Sequence, residues 1–421
     1  MKTSTMSFRP ITIARHLLVA AIILCASMAH ATVIQKTGGG APWTLFPGDF
    51  RLTPAFPDKA SIYATFVFRP ASGDFDLLKV TGRFPHARYM SFNLYDFAEA
   101  TDFDALADVE IVPDDGSINP FYPGENRDAG NRSYTLWLVK EGAEPPKGAA
   151  NIFFIPEGVE TLSLFLRVYR PDKGFDNLGG VGLPGIEALK SDKSPAGVPD
   201  FGITLDAALQ KAGMFILNNE LLETWLVTSW FAGKNVSFHR VSDAGLFPNA
   251  HNEYIIAPLP QDYANKVAVI TFTPPTFENT YEGGVFEGGK DVRYWSFCTG
   301  GLAETGTIEC LCDDQVRKNP DGTVTICIAP LTLKRTVEKA GFNYMRWGGV
   351  AFPVLLHRHL LASKDFPGSI SHVPYIQRPP APEERNGQYM ADTAVEQFMG
   401  EYGPTGRVFT VSEFLWWLWT R

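Results

Sequence analysis

Cysteine is scarce in this chain: five in 421 residues, four of them (Cys298, Cys310, Cys312 and Cys327) within one short stretch. That is too few for a disulfide-dense scaffold. Long apolar runs are missing too. The most apolar stretch, Leu17 to Met28, falls short of the ~20 residues that span a bilayer, so no stable membrane span is expected in the mature chain. Basic runs are absent beyond the first residues, and Asp plus Glu outnumber Lys plus Arg by 46 to 37. This argues against nucleic acid and anionic lipid surfaces as partners. There is no Gly-x-Ser-x-Gly elbow, no P-loop and no His-Glu-x-x-His, so none of these motifs names a reaction.

What is present begins with an export signal. Lys2, Arg9 and Arg15 precede the apolar run, and Ala29-His30-Ala31 supplies small residues before a cut, the pattern of a cleaved signal peptide over 1–31. Its removal takes three basic residues and no acidic one, leaving 34 against 46, a net charge of −12. Export to the periplasm or the extracellular space makes disulfides among Cys298, Cys310, Cys312 and Cys327 the expected state. Cys310 and Cys312 share a strand face, so each is expected to reach across to Cys298 or Cys327. A four-cysteine zinc site and reduced buried thiols are the alternatives.

The 38 glycines, 31 prolines and 31 phenylalanines suit many short strands joined by turns. The strand text is written twice. Arg88-Tyr89-Met90-Ser91-Phe92 returns as Arg293-Tyr294-Trp295-Ser296-Phe297, and an aspartate follows each arginine by 20 residues, at Asp108 and Asp313. Residues 61–66 match 252–256, 77–81 match 267–271, 134–139 match 324–328, and 162–169 match 354–360. The expected fold is therefore mainly β, with two tandem β-sandwich, jelly-roll-like repeats, a helical connector and a C-terminal helix. The boundaries read 32–195 for the first repeat, 196–245 for the connector, 246–376 for the second repeat and 377–421 for a proline-rich loop and terminal helix. Helical spacing marks 205–213 and 217–231. Thr410 and Glu413 form a capping box ahead of an aromatic helix, which is expected to dock on the protein body.

The doubled arginines suggest structural ion pairs, Arg88 with Asp108 and Arg293 with Asp313, although an arginine fork also suits a carboxylate ligand. Sites are sought where the copies differ. His357-Arg358-His359 stands where the first copy has Leu166-Arg167-Val168, and His357 and His359 share a strand face as candidate metal ligands, with His251 nearby. Asn343, Arg346 and Trp347 combine amide, guanidinium and ring beside glycines, which suits a sugar or carboxylate.

Phe247-Pro248-Asn249-Ala250-His251-Asn252-Glu253-Tyr254 resembles the Pro-Asn-x-Asp-Thr-x-Tyr segment of a pair of β-rich bacterial domains of unknown function. Val292 to Ser296, Cys310 to Asp313 and Asp321-Gly322 resemble a related group of uncharacterised secreted bacterial proteins, over most of 60–375. The resemblance implies a β-sandwich pair and export, and transfers no catalytic residue. The resulting expectation is an exported binding or enzyme-accessory protein for a carbohydrate or small carboxylate ligand in the cleft between the repeats. The expected ligand contacts are Arg293, Arg346, Trp347, Asn343 and Arg88. The alternatives are a hydrolase or lyase, metal-dependent or not, with candidates His357, His359, His251 and Tyr294, and a structural protein. No cofactor is expected, a metal held by His357 and His359 being the exception considered.

Overall fold

The structure is a computed structural model and describes residues 33–36, 42–47, 56–99, 101–197, 199, 234–241, 247–302, 306–350, 352–376 and 394–421. The expected signal segment, the two helical spans of the connector and the proline-rich loop lie outside the described residues.

The first repeat runs through β1 (Val33–Lys36), β2 (Pro42–Pro47), β3 (Ser61–Phe68), β4 (Leu77–Arg83), β5 (Ala87–Asp96), β6 (Asp102–Ala107), β7 (Ser133–Lys140), β8 (Ile152–Ile155), β9 (Leu162–Pro171) and β10 (Gly185–Leu189). The second runs through β11 (Asn235–Val236), β12 (Arg240–Val241), β13 (Asn252–Pro258), β14 (Lys266–Phe272), β15 (Tyr294–Gly301), β16 (Gly306–Cys312), β17 (Val324–Ala329), β18 (Asn343–Arg346), β19 (Pro353–Leu360), β20 (Tyr375–Ile376) and β21 (Thr405–Thr410). Three helices complete the described chain: α1 (Lys334–Lys339), α2 (Glu396–Met399) and α3 (Val411–Trp419).

The duplication read from the motif extends to sheet order. The ladder β3-β9-β5-β6 of the first repeat returns as β13-β19-β15-β16, and β10-β4-β7-β8 returns as β21-β14-β17-β18. Each second sheet even ends in a parallel pair, β7 with β8 and β17 with β18. Backbone detail repeats as well: Phe56 and Phe247 hold φ of 48° and 50°, and Arg170 and Leu361 hold 48° and 46°. The eighth strand of the second repeat, β21, comes from residues 405–410, beyond the 246–376 span read from the sequence. It closes the sheet by pairing with β14, Val269 opposite Arg407.

Strand alternation sends one face of each ladder inward. Ile62, Ala64, Phe66, Leu164, Leu166, Met90 and Phe92 meet Val80, Leu136 and Leu138 of the other sheet in the first core. Ile255, Trp295, Phe297 and Leu355 meet Ile270, Ile326 and Ile328 in the second. Each repeat is thus a two-layer sandwich around its own core. Helix α3 is capped as expected, Thr410 Oγ1 accepting from Glu413 N and Glu413 Oε2 from Thr410 N. Its Phe414, Trp417 and Leu418 pack with Val267, Val269 and Cys327, while Trp416 and Trp419 remain exposed. Among the described residues no helix is long and apolar enough to cross a membrane.

Candidate functional site

The outward faces of the two matching ladders carry Tyr63, Thr65, Tyr89, Ser91, Asn93, Ser163, Phe165 and Arg167 in the first repeat, and Tyr254, Tyr294, Ser296, Cys298 and Arg358 in the second. Polar side chains line them, yet they are buried, because the repeats meet there. Tyr89, Tyr169, Tyr294, Cys312 and Leu360 form a shared cluster, with the Tyr169 and Tyr294 rings 5.8 Å apart.

The expected ion pairs exist with their partners exchanged. Arg88 Nη1 lies 2.7 Å from Asp313 Oδ1, and Arg293 Nη1 lies 3.0 Å from Asp108 Oδ1. The spacing within each copy permitted either arrangement; burial of both carboxylates at the contact between repeats decides for the crossed one. Both carboxyls titrate higher than an ordinary aspartate because burial disfavours the charge, Asp313 being pushed up to about 6 despite Arg88.

Beside these pairs lies a second related pair of arginines. Arg167 sits opposite Tyr63 and Ser91 on the neighbouring strands, and Arg358 sits opposite Tyr254 and Ser296. Each donates Nη2 to the carbonyl of the matching positive-φ phenylalanine, Arg167 to Phe247 and Arg358 to Phe56. Their charge environments differ. Asp58 Oδ2 accepts from Arg358 Nη1 at 2.8 Å, Ser296 Oγ at 2.6 Å and Tyr294 OH at 2.8 Å, so a carboxylate neutralises that arginine. Beside Arg167 the equivalent turn, contributed by the second repeat, carries Asn249, and Arg167 Nη1 donates instead to the amide oxygen of Asn93 at 2.6 Å. Among the described residues Arg167 has no carboxylate partner, although it is only 2% exposed. Tyr63, Tyr95 and Phe165 surround its guanidinium with ring centroids 5.2 to 5.9 Å away.

A third difference adjoins the second. Ala60, in the turn beside Arg358, is matched by His251 in the turn beside Arg167. Its Nδ1 lies 2.9 Å from Tyr89 OH, and its Nε2 lies 3.4 Å from Glu110. Desolvation lowers the His251 pKa, with Glu110 opposing.

The residues singled out from sequence distribute as follows. His357 and His359 face the core of the second sandwich, away from the other repeat. Their Nε2 atoms are 3.0 Å apart, and the His357 ring stacks on Phe297 at 4.0 Å. Burial holds both neutral, His357 being pushed down to about 3. Trp347 is buried in the same core and Asn343 fastens the backbone of Arg317 and Thr325, while Arg346 is exposed. Arg88, Arg293, Tyr294 and His251 do come together, at the contact between repeats. Only Cys298 and Cys310, directly opposite on β15 and β16, form a disulfide. Cys312 and Cys327 are free and buried. This corrects the expectation that all four are bridged: Cys312 faces the Tyr294 cluster, and Cys327 lies on the far sheet against α3. Asp58, Cys298 and Cys310 place ligand-type atoms within 4.8 Å of one another, but the sulfurs bond each other.

Arg167 and Asp58 are functional candidates that the motif search missed. A usable signal existed in Phe56-Pro57-Asp58 against Phe247-Pro248-Asn249, one substitution that removes a carboxylate.

No protein-family model matches the chain, and no curated protein matches its sequence. Solved structures do resemble it. An uncharacterised protein from Burkholderia cenocepacia is similar over 97% of this chain and 92% of its own, with 14% identity and a TM-score of 0.50. A protein from Vibrio parahaemolyticus is similar over 84% of this chain and 94% of its own, with 10% identity and a TM-score of 0.42. The first of these supports a fold shared with uncharacterised bacterial β-rich proteins.

Proposed function

We propose that this is an exported binding protein that holds a small polar ligand, a carbohydrate or a carboxylate-bearing molecule, between its two repeats. The observation that carries this reading is a set of buried polar side-chain atoms on the facing surfaces that have no hydrogen-bond partner among the described residues. Thr65 Oγ1, Asn93 Nδ2, Ser163 Oγ and Asn249 Nδ2 belong to it. Buried polar groups are normally paired, and leaving one unpaired costs about 1–3 kcal/mol. Groups of this kind at a contact between two units suit a polar ligand. Export rests on the signal-like first 31 residues.

The test is a melting-temperature screen of the full chain against glycans and organic acids. A saturable rise with one chemical class is expected. If no member of either class moves the melt, the protein is a structural or interaction protein instead.

A hydrolase or lyase is the second reading. It is favoured by one chain of contacts, from half-exposed Glu110 through His251 to buried Tyr89. Turnover of a bound compound, lost in His251→Gln while binding persists, would select it.

A further inference from the structure

We propose that Arg167 is the anchor of that site and that its ligand is the carboxylate of a small organic acid, for which Asp58, the first-repeat carboxylate that pairs with Arg358, is the built-in template. This deepens the binding reading and rests on it.

Two half-sites are built on one plan. Around Arg358 a buried arginine, a tyrosine hydroxyl and a serine hydroxyl of the second repeat converge on one oxygen of Asp58 from the first. The same three positions exist in the first half as Arg167, Tyr89 and Ser91, on the same strands in the same register. Among the described residues no carboxylate completes them. Its work is divided between two neutral amides: Asn249 Oδ1 lies 3.3 Å from Tyr89 OH, and Asn93 Oδ1 accepts from Ser91 Oγ at 3.0 Å and from Arg167. A buried guanidinium served only by neutral acceptors keeps its desolvation cost without the Coulomb compensation that a carboxylate gives. An arriving carboxylate supplies that compensation. The unpaired Nδ2 atoms of Asn93 and Asn249 are further donors for it.

The surrounding side chains differ in the same sense. Asn93 stands opposite Ala105, whereas the corresponding second-half residues are Cys298 and Cys310, joined by the disulfide. Methyl and amide therefore replace a sulfur bridge beside the arginine. Asp58, Cys298 and Cys310 together fill the half-site around Arg358, and Asn249, Asn93 and Ala105 leave the one around Arg167 with donors and a positive charge. The flanking rings of Tyr95, Phe165 and Phe247, with centroids 5.0 to 5.4 Å apart, offer an apolar wall to the body of the acid. The asymmetry also tells what the class is not: a neutral sugar would leave the Arg167 charge uncompensated.

The experiment titrates the full chain with propionate, the free-acid analogue of an acidic side chain, against sodium chloride at equal ionic strength. Melting temperature and calorimetric binding are read together. Arg167→Met and Asn249→Asp are the variants, the second giving the Arg167 half-site the carboxylate that the Arg358 half-site already has. The wild type should show a saturable response to propionate and none to chloride. Arg167→Met should weaken that response roughly tenfold or more, as expected for losing a charge-assisted hydrogen bond. Asn249→Asp should melt higher than wild type and ignore propionate, because its own carboxylate fills the place. Should Arg167→Met fail to fold, Asn249→Asp decides alone. A propionate response undiminished in the variants, or matched by chloride, overturns the proposal. A response to neutral sugars alone overturns it while leaving the binding reading intact, and silence towards every compound removes both.

Discussion

Arg88 and Asp313 are ion-paired at 2.7 Å although they belong to different repeats, and Arg293 with Asp108 repeats the contact in the opposite direction. The contact is self-complementary in the way of a two-fold dimer, here within one chain.

Removing one member strands the other in a buried place. Arg88→Met is expected to lose about 3–5 kcal/mol of unfolding free energy, and Arg88→Met with Asp313→Leu to recover much of it. Denaturant unfolding of the two single variants and the double one gives the coupling energy. Stronger coupling of position 88 to 108 than to 313 would contradict the crossed arrangement.

Asp58 serves three donors at once, so Asp58→Ala leaves Arg358 without its carboxylate. The expected loss is again about 3–5 kcal/mol. Added acetate should restore part of it, while chloride at the same ionic strength should not. The readout is the melting temperature of the variant across an acetate series.

Acid should weaken the fold through the buried histidines. His357 is held down to about 3, chiefly by desolvation, and His359 well below its usual value. The unfolded chain binds protons at ordinary histidine pKa values near 6.5, so stability is lost as pH falls below that point. Between pH 7 and pH 5, His357 alone accounts for on the order of 2 kcal/mol. Asp313, raised by burial to about 6, acts oppositely, and its contribution fades as pH rises from about 4 to 6. The stability difference between wild type and His357→Leu isolates the histidine: it should shift in favour of the variant as pH falls. A difference constant across that range would refute the assignment.

Thiol counting checks the cysteines. In a chain starting at residue 32, folded protein should react with none of its free thiols quickly, since both are buried and burial raises their pKa, to about 12 for Cys327. Denatured but unreduced protein should release two, Cys312 and Cys327. Peptide mapping should find Cys298 joined to Cys310; any other pairing would fail the assignment.

Much of the fold was legible because duplication wrote the strands twice, and alternation assigned most faces. Alternation put His357 and His359 on a common face, but nothing local tells which face of a strand meets the core. Arg358 between them turned out to be the outward residue. Arg88 and Asp108 have the same spacing as Arg293 and Asp313, so partner exchange leaves no mark in the sequence. Strand β21 was hidden because Thr405-Gly406-Arg407-Val408 shows weak alternation, and its pairing with β14 spans more than a hundred residues. Arg167 carries no mark of its own in the sequence, since its counterpart Arg358 is also an arginine. The decisive change was one oxygen for one nitrogen, Asp58 against Asn249.

The crossed pairs have a historical implication. A polypeptide with a single such unit satisfies its arginine and aspartate only by meeting a second identical molecule, and in that assembly both ends of the contact must be alike. Once the two are fused into one gene product, each end mutates independently. One end could then keep its acidic plug while the other shed it, which is the difference now seen between Asp58 and Asn249.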